Sequence, residues 1–175
     1  MEPEAVTIER ADLERPEHQR AIVEMTAAYA RDPMGNDAPL DADVLEALVP
    51  ALRHHPTTLV WLAWRGDRPV GIATCFLGFS TFAARPVINV HDLCVVQGER
   101  GRGIATALLR AVESSARERG CAKVTLEVQE HNAPARRLYE AFGFAQAVYA
   151  RGNGGALFFA KDLRAEESPA RPRSS

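Results

Sequence analysis

Apolar and polar positions change period twice along the chain, and the changes predict its elements. Thr7 to Arg10 reads as a short first strand. From Pro16 to Arg31 the apolar residues Ala21, Ile22, Met25, Ala28 and Tyr29 recur at helical spacing, and Asp32-Pro33-Met34-Gly35-Asn36 breaks the pattern. A second helix is predicted over Asp41–His54, with Asp41 as cap and Val44, Leu45, Leu48 and Leu52 as its stripe. Then β-formers dominate. Thr58–Arg65 and Pro69–Phe79 flank the turn Gly66-Asp67-Arg68 as a hairpin, and Val87–Val96 is a third strand of the meander. Gly103–Arg119 is helical, with Ile104, Leu108, Ala111 and Val112 on one side and Gly120 as its stop. Lys123–Val128 is a strand and Pro134–Phe142 a short helix. Strands follow near Phe144–Ala150 and Ala156–Lys161. This order predicts a mixed α/β fold with helices on both faces of a central sheet.

Composition narrows the class. The chain has 175 residues, 46% of them hydrophobic and 25% charged, enough for one domain with a buried core. A net charge of −2 supplies no cationic field for nucleic acid or an anionic bilayer. Lys123 and Lys161 are the only lysines, an arginine bias read as genome composition. Cys75, Cys94 and Cys121 form neither a disulfide framework nor a CxxC pair. The acidic N-terminus lacks a signal-peptide pattern, and the apolar run Leu59–Trp64 is too short to span a membrane. The expectation is a cytoplasmic protein with one domain over residues 1–163 and a flexible Pro/Ser-rich tail at 164–175. His54-His55 and Asp41/Asp43 lack metal-ligand spacing, so no metal is expected.

The most informative stretch joins a strand to a helix through Arg100-Gly101-Arg102-Gly103-Ile104-Ala105. A helix start after such a turn aims its free N–H groups at one point, which suits a phosphate or diphosphate. The glycines remove side chains that would block an anion's approach. A P-loop is excluded because Ile104-Ala105-Thr106 stands where Gly-Lys-Ser/Thr is needed. A dinucleotide-binding fold fits poorly, since only about 45 residues follow Glu127, too few for its remaining βα units.

Here the sequence resembles the GNAT superfamily of acyl-CoA-dependent N-acetyltransferases. Arg100 to Ala105 matches the family's Arg/Gln-x-x-Gly-x-Gly/Ala pattern. Asn132-Ala133-Pro134-Ala135-Arg136-Arg137-Leu138-Tyr139-Glu140-Ala141-Phe142-Gly143-Phe144 matches its Asn, Ala, Tyr and Gly-Phe pattern. The close resemblance covers residues 87–144 and the fold-level one about 5–163. It implies a mostly antiparallel central sheet, splayed between its two central strands. The diphosphate of acetyl-CoA would rest on Arg100, Gly101, Arg102, Gly103, Ile104, Ala105 and Thr106. The pantetheine arm would pair with the backbone of Leu93, Cys94 and Val95 as a missing strand, and Asn132 would touch the same arm. Tyr139 would be the general acid that reprotonates the leaving thiolate; its other reading is a core tyrosine on the face of Ala135, Leu138 and Phe142.

Attack by an amine needs a base. Strand alternation puts Asn89, His91 and Leu93 on one face and Val90, Asp92 and Cys94 on the other, unless a bulge breaks the parity. His91 stands where polyamine-type relatives carry a glutamate, and imidazole suits proton removal near neutrality. Its alternative is a structural residue. Asp92 is either an amine partner or an ion-paired scaffold residue, and Glu127 is an alternative base. Cys94 reads as a small apolar residue beside the thioester rather than a nucleophile. On the acceptor side, Tyr29, Asp32 and Phe79 supply aromatic and acidic groups for a cationic amine, with Asn89, Asp92 and Glu127. The implied activity is acetyl transfer from acetyl-CoA to a small-molecule primary amine by direct attack. A peptide amine, a silent acyl-CoA-binding module and a dinucleotide-binding oxidoreductase stand as alternatives. The resemblance also implies a homodimer, since family members are often dimers.

Overall fold

The computed structural model of the chain describes residues 4–146. These fall into two compact units, one ending at Leu138 and one beginning at Tyr139. In the first unit the elements are β1 (Val6–Arg10), α1 (Pro16–Arg31), α2 (Ala42–His54), β2 (Thr58–Arg65), β3 (Arg68–Ser80) and β4 (Arg85–Val95). After β4 come α3 (Ile104–Glu118) and β5 (Lys123–Leu126). Helix α4 (Ala133–Phe142) runs across the boundary between the units.

The five strands form one sheet in chain order. β1 to β4 are antiparallel to their neighbours, and β5 lies parallel to β4. A two-residue turn with Gly66 at φ +58° joins β2 to β3, as its glycine foretells. The parallel β4–β5 step needs a crossover, which α3 supplies. Two apolar faces hold the sheet. Val60, Leu62, Ile72 and Cys94 pack against Ala21, Ile22 and Met25 of α1 and Val49 and Leu52 of α2. The alternate residues Leu59, Trp61, Ala63, Ala73 and Cys75 are buried on the other face. There Gly71 lies under Ile104 and Leu108 of α3, and an added Cβ would stand 3.2 Å from Leu108. Each fully buried Ile or Leu contributes about 1.5–3 kcal/mol, against about 0–1 for an exposed ion pair. The apolar faces therefore decide the architecture.

Several expectations are corrected. β4 begins at Arg85 rather than Val87, because its ladder with β3 continues through Phe79–Pro86 to Ser80–Arg85, and the Arg85 guanidinium also donates to the carbonyls of Gly120 (2.9 Å) and Cys121 (3.1 Å). β5 stops at Leu126 rather than Val128, so Glu127 follows the strand. Val44 is 45% exposed, and Val49 takes its place on the buried side of α2. Asp41 holds the cap position of α2 without a side-chain cap hydrogen bond. Gly103 caps α3 rather than beginning it. Of the strand expected at 144–150, residues 144–146 are described and are not in a strand. The rest of it, the strand at 156–161 and the tail at 164–175 lie outside the described residues.

Candidate functional site

β4 is 11 residues long, but β5 pairs with it only from Val87 to Val90. Among the described residues no strand covers the remainder of that edge. Which groups face it follows from the ladder. The Val96 N–H donates to the Val70 carbonyl at 3.0 Å, so Val96 and Cys94 turn their main-chain groups toward β3. Leu93 and Val95 turn theirs toward the uncovered edge. The Val95 carbonyl there accepts Nε–H of Arg100 at 2.9 Å.

A 3-10 turn at Gln97–Glu99 leads from this strand into the glycine loop. Gly101 (φ +74°) and Gly103 (φ +79°) take left-handed conformations that favour glycine, and among the described residues a Cβ at either would meet nothing within 4 Å. No side chain caps α3 at Gly103. The N–H groups of Ile104, Ala105 and Thr106 in its first turn thus lack intrahelical acceptors. Positive dipole, free donors and room together fit an anion such as a diphosphate.

Sequence reasoning missed the residue that fixes this loop. Glu99 is 6% exposed and accepts two hydrogen bonds from Arg65 (3.1 and 2.8 Å) and one from Arg68 (2.7 Å). Arg102 stands 3.8 Å from it. The Arg65 bonds hold the Glu99 carboxyl below its usual range against the opposing effect of burial. Glu99 and its arginines come from segments 31 and 34 residues apart, so no local pattern announces them. Arg102 therefore leans on Glu99, and Arg100 lies against Val95 and Asp32.

The face under α1 gathers most of the acceptor-side candidates. β4 carries a bulge: Asp92 pairs with Thr74 and Val90 with Cys75, leaving His91 as the extra residue. Asn89 (opposite Phe76), Asp92 (opposite Thr74) and Cys94 (opposite Ile72) consequently share one face. Leu93 shares the other with Val90. The regular alternation expected from the sequence is overturned by this one inserted residue. The His91 ring is exposed and packs edge-on against Phe76, centroids 5.6 Å apart. Burial pushes the Asp92 carboxyl up, with His91 pulling it back. Burial, and after it the charge of Asp92, raises the half-buried Tyr29 phenol. Asn89 Nδ2 donates to Thr125 Oγ1 (3.2 Å) and Glu127 Oε2 (3.3 Å), tying β4 to the end of β5 where the two strands part.

Other candidates fall elsewhere. Phe79 is 65% exposed near the tip of the β3–β4 hairpin, and alternation puts it on the face opposite Phe76 and Thr74. Burial raises the Cys94 thiol to about 11, so it is protonated at neutral pH and poorly suited to a nucleophile's role. Asn132 Oδ1 accepts the Ala135 N–H at 3.2 Å and caps α4, a role that Asn followed by Ala-Pro spells out locally. Tyr139 lies in the second unit, half-buried, its ring 5.9 Å from that of Phe144. Among the described residues, no group of three or more His, Cys, Asp or Glu is arranged to hold a metal ion, and no helix is long and apolar enough to cross a membrane.

Comparison with known proteins agrees with this geometry. The streptothricin acetyltransferase of Streptomyces lavendulae is 40% identical over 70 residues, 40% of this chain and 37% of that protein. The N-alpha-acetyltransferase MAK3 of Arabidopsis thaliana is 36% identical over 89 residues, 51% of this chain and 46% of its own. The chain thus spans less than half the length of these two relatives. The crystal structure of a probable acetyltransferase shares the fold at TM-score 0.75 and 19% identity, over 89% of this chain and 99% of that one. The Acetyltransferase (GNAT) family model matches residues 21–144, across the uncovered strand edge, the glycine loop and the Asn132–Phe144 segment, and the chain belongs to that family.

Proposed function

We propose that this chain is an N-acetyltransferase that moves an acetyl group from acetyl-CoA to a primary amine of a small molecule. The observation that carries the reading is the succession of two surfaces: the β4 edge, left uncovered beyond Val90 among the described residues, leads through the 3-10 turn and the glycine loop to the start of α3, where Gly103 provides no side-chain cap. An arm with alternating amides pairs with the main-chain groups of Leu93 and Val95 as a strand would. A diphosphate at its end meets the N–H groups of Ile104, Ala105 and Thr106. Gly101 and Gly103 keep that approach open. Cys94 is the small side chain beside the acyl group.

Across the strand, Asp92, Glu127 and Tyr29 offer a cationic amine two carboxylates and an aromatic hydroxyl, and Asn89 fixes Glu127. The acceptor must lose a proton before it attacks. His91, exposed in the bulge, takes that proton directly or through water. Tyr139 returns a proton to the departing thiolate; its place in the Asn132–Phe144 motif supports this role. The acidic lining favours a small cationic amine such as a diamine or an amino acid. The similarity to an N-alpha-acetyltransferase favours a second reading, a peptide N-terminus, over 51% of the chain.

A thiol-release assay with acetyl-CoA separates the readings. The panel contains diamines, amino acids, an aminoglycoside and peptides with free N-termini. Release with small amines supports the proposal, and release with peptides alone replaces it by the second reading. CoA binding without release from any amine would make the chain a silent acyl-CoA-binding module.

A further inference from the structure

Asp32 caps the end of helix α1, at the boundary of the surface assigned to the amine, yet both its carboxylate oxygens accept hydrogen bonds from elsewhere. Oδ1 accepts the Met34 N–H at 2.8 Å, and Oδ2 accepts a hydrogen bond from the Arg100 guanidinium. Its side chain is 14% exposed. The other arm of the Arg100 fork, Nε, donates to the Val95 carbonyl at 2.9 Å. One guanidinium thus closes the chain between the last residue of β4 and the glycine loop, and Asp32 holds that guanidinium in place. We propose that Asp32 is a positioning residue for the acyl donor, acting through Arg100, and is not part of the amine-binding surface. The inference rests on the reading that β4 and the α3 start grip the donor.

The physical reason is spacing. A donor that lies along the Leu93–Val95 edge and ends on the α3 amides must match the distance between those two grips. The Arg100–Val95 hydrogen bond fixes that distance, and preorganisation of this kind lowers the ordering cost of binding. Arg100 is 47% exposed, and without a partner a long side chain of this kind regains its rotamer freedom and leaves Val95. Burial acts to raise the Asp32 carboxyl, but the Arg100 and Met34 hydrogen bonds outweigh it and keep the group ionised at neutral pH.

Bare electrostatics predicts the opposite sign, which makes the test sharp. Neutralising a carboxylate beside an anion site should tighten anion binding, whereas losing a positioning contact should loosen it. Calorimetric titration of the full chain with CoA is run on the wild type, Asp32→Asn, Arg100→Lys and the double variant, each with its melting curve. Lys keeps the charge but cannot reproduce the two-armed fork. Each single variant is expected to bind CoA about fivefold more weakly, a modest loss set by partial solvent screening. The double variant should be no weaker than either single one, because all three break the same connection. Unchanged or tighter binding by Asp32→Asn, or additive losses in the double variant, would overturn the proposal. A wild type that binds no CoA would refute the donor-site reading itself, a separate result.

Discussion

Replacing Gly103 by aspartate tests the glycine loop with little collateral damage to the fold. The residue sits at φ +79° and a new Cβ meets no heavy atom of the described residues within 4 Å, so among them the substitution costs only the left-handed conformation. That strain is about 1–2 kcal/mol for an L-residue, with aspartate at the low end. For a domain of this size the melting temperature should fall by about 2–4 °C. CoA binding should suffer far more. A carboxylate about 5 Å from a diphosphate repels each unit charge by about 3 kcal/mol at an effective dielectric of about 20. With two charges on the diphosphate and about half the effect screened at this exposed loop, roughly 3 kcal/mol remains. Affinity should then drop about 100-fold. Gly103→Asn is the matched control, with similar backbone strain and no charge. Calorimetry with CoA and scanning calorimetry measure both quantities on both variants. Normal CoA binding by Gly103→Asp would refute the diphosphate assignment. Equal losses in the two variants would trace the effect to backbone conformation rather than charge.

Three further outcomes follow from the same geometry. Tyr139→Phe should lower kcat by about 10²-fold or more, the usual contribution of a general acid, with the Kd for CoA little changed; unaltered turnover would remove Tyr139 from the reaction. Glu99 has a carboxyl held below its unfolded value by Arg65, so its stabilisation is present above that unfolded value and is lost as pH falls through the folded one. Melting curves of the wild type should accordingly drop more steeply below about pH 4.5 than those of Glu99→Gln, and parallel curves would contradict the buried ion cluster. Burial lifts the Cys94 and Cys75 thiols to about 11 and about 12, while Cys121 is half-buried. Iodoacetamide at pH 8, followed by peptide mass analysis, should therefore mark Cys121 first, and preferential labelling of Cys94 would restore it as a candidate nucleophile.

The parts of the fold that local chemistry dictates were legible in the chain. Helical periodicity located α1 with both ends correct, and Gly66 and Gly120 marked a hairpin turn and the stop of α3, both at positive φ. The loop from Arg100 to Ala105 was readable because its glycines and the helix start act within six residues. Long-range placement was not readable. His91 looks like an ordinary strand residue, and only the pairing of β4 with β3 makes it a bulge that moves Asp92 to the face of Asn89. Glu99 looks like one more surface acid until Arg65 and Arg68 fold over it. Asp32 looked like an amine partner because a sequence does not show that Arg100, 68 positions away, already engages it. Phe79 is a different case, since regular alternation along β3 puts it on the face opposite Phe76 and Thr74.

On the proposed reading, the donor docks on main-chain groups of Leu93 and Val95 along β4, and such a site should tolerate substitution. Recognition through peptide amides is blind to side-chain identity, so conservative exchanges at these positions leave the docking pattern intact. Proline alone deletes an amide hydrogen outright. If the coenzyme is read in this way, lineages of such an enzyme are free to reshape the residues that choose the acceptor while the polypeptide itself keeps the coenzyme site.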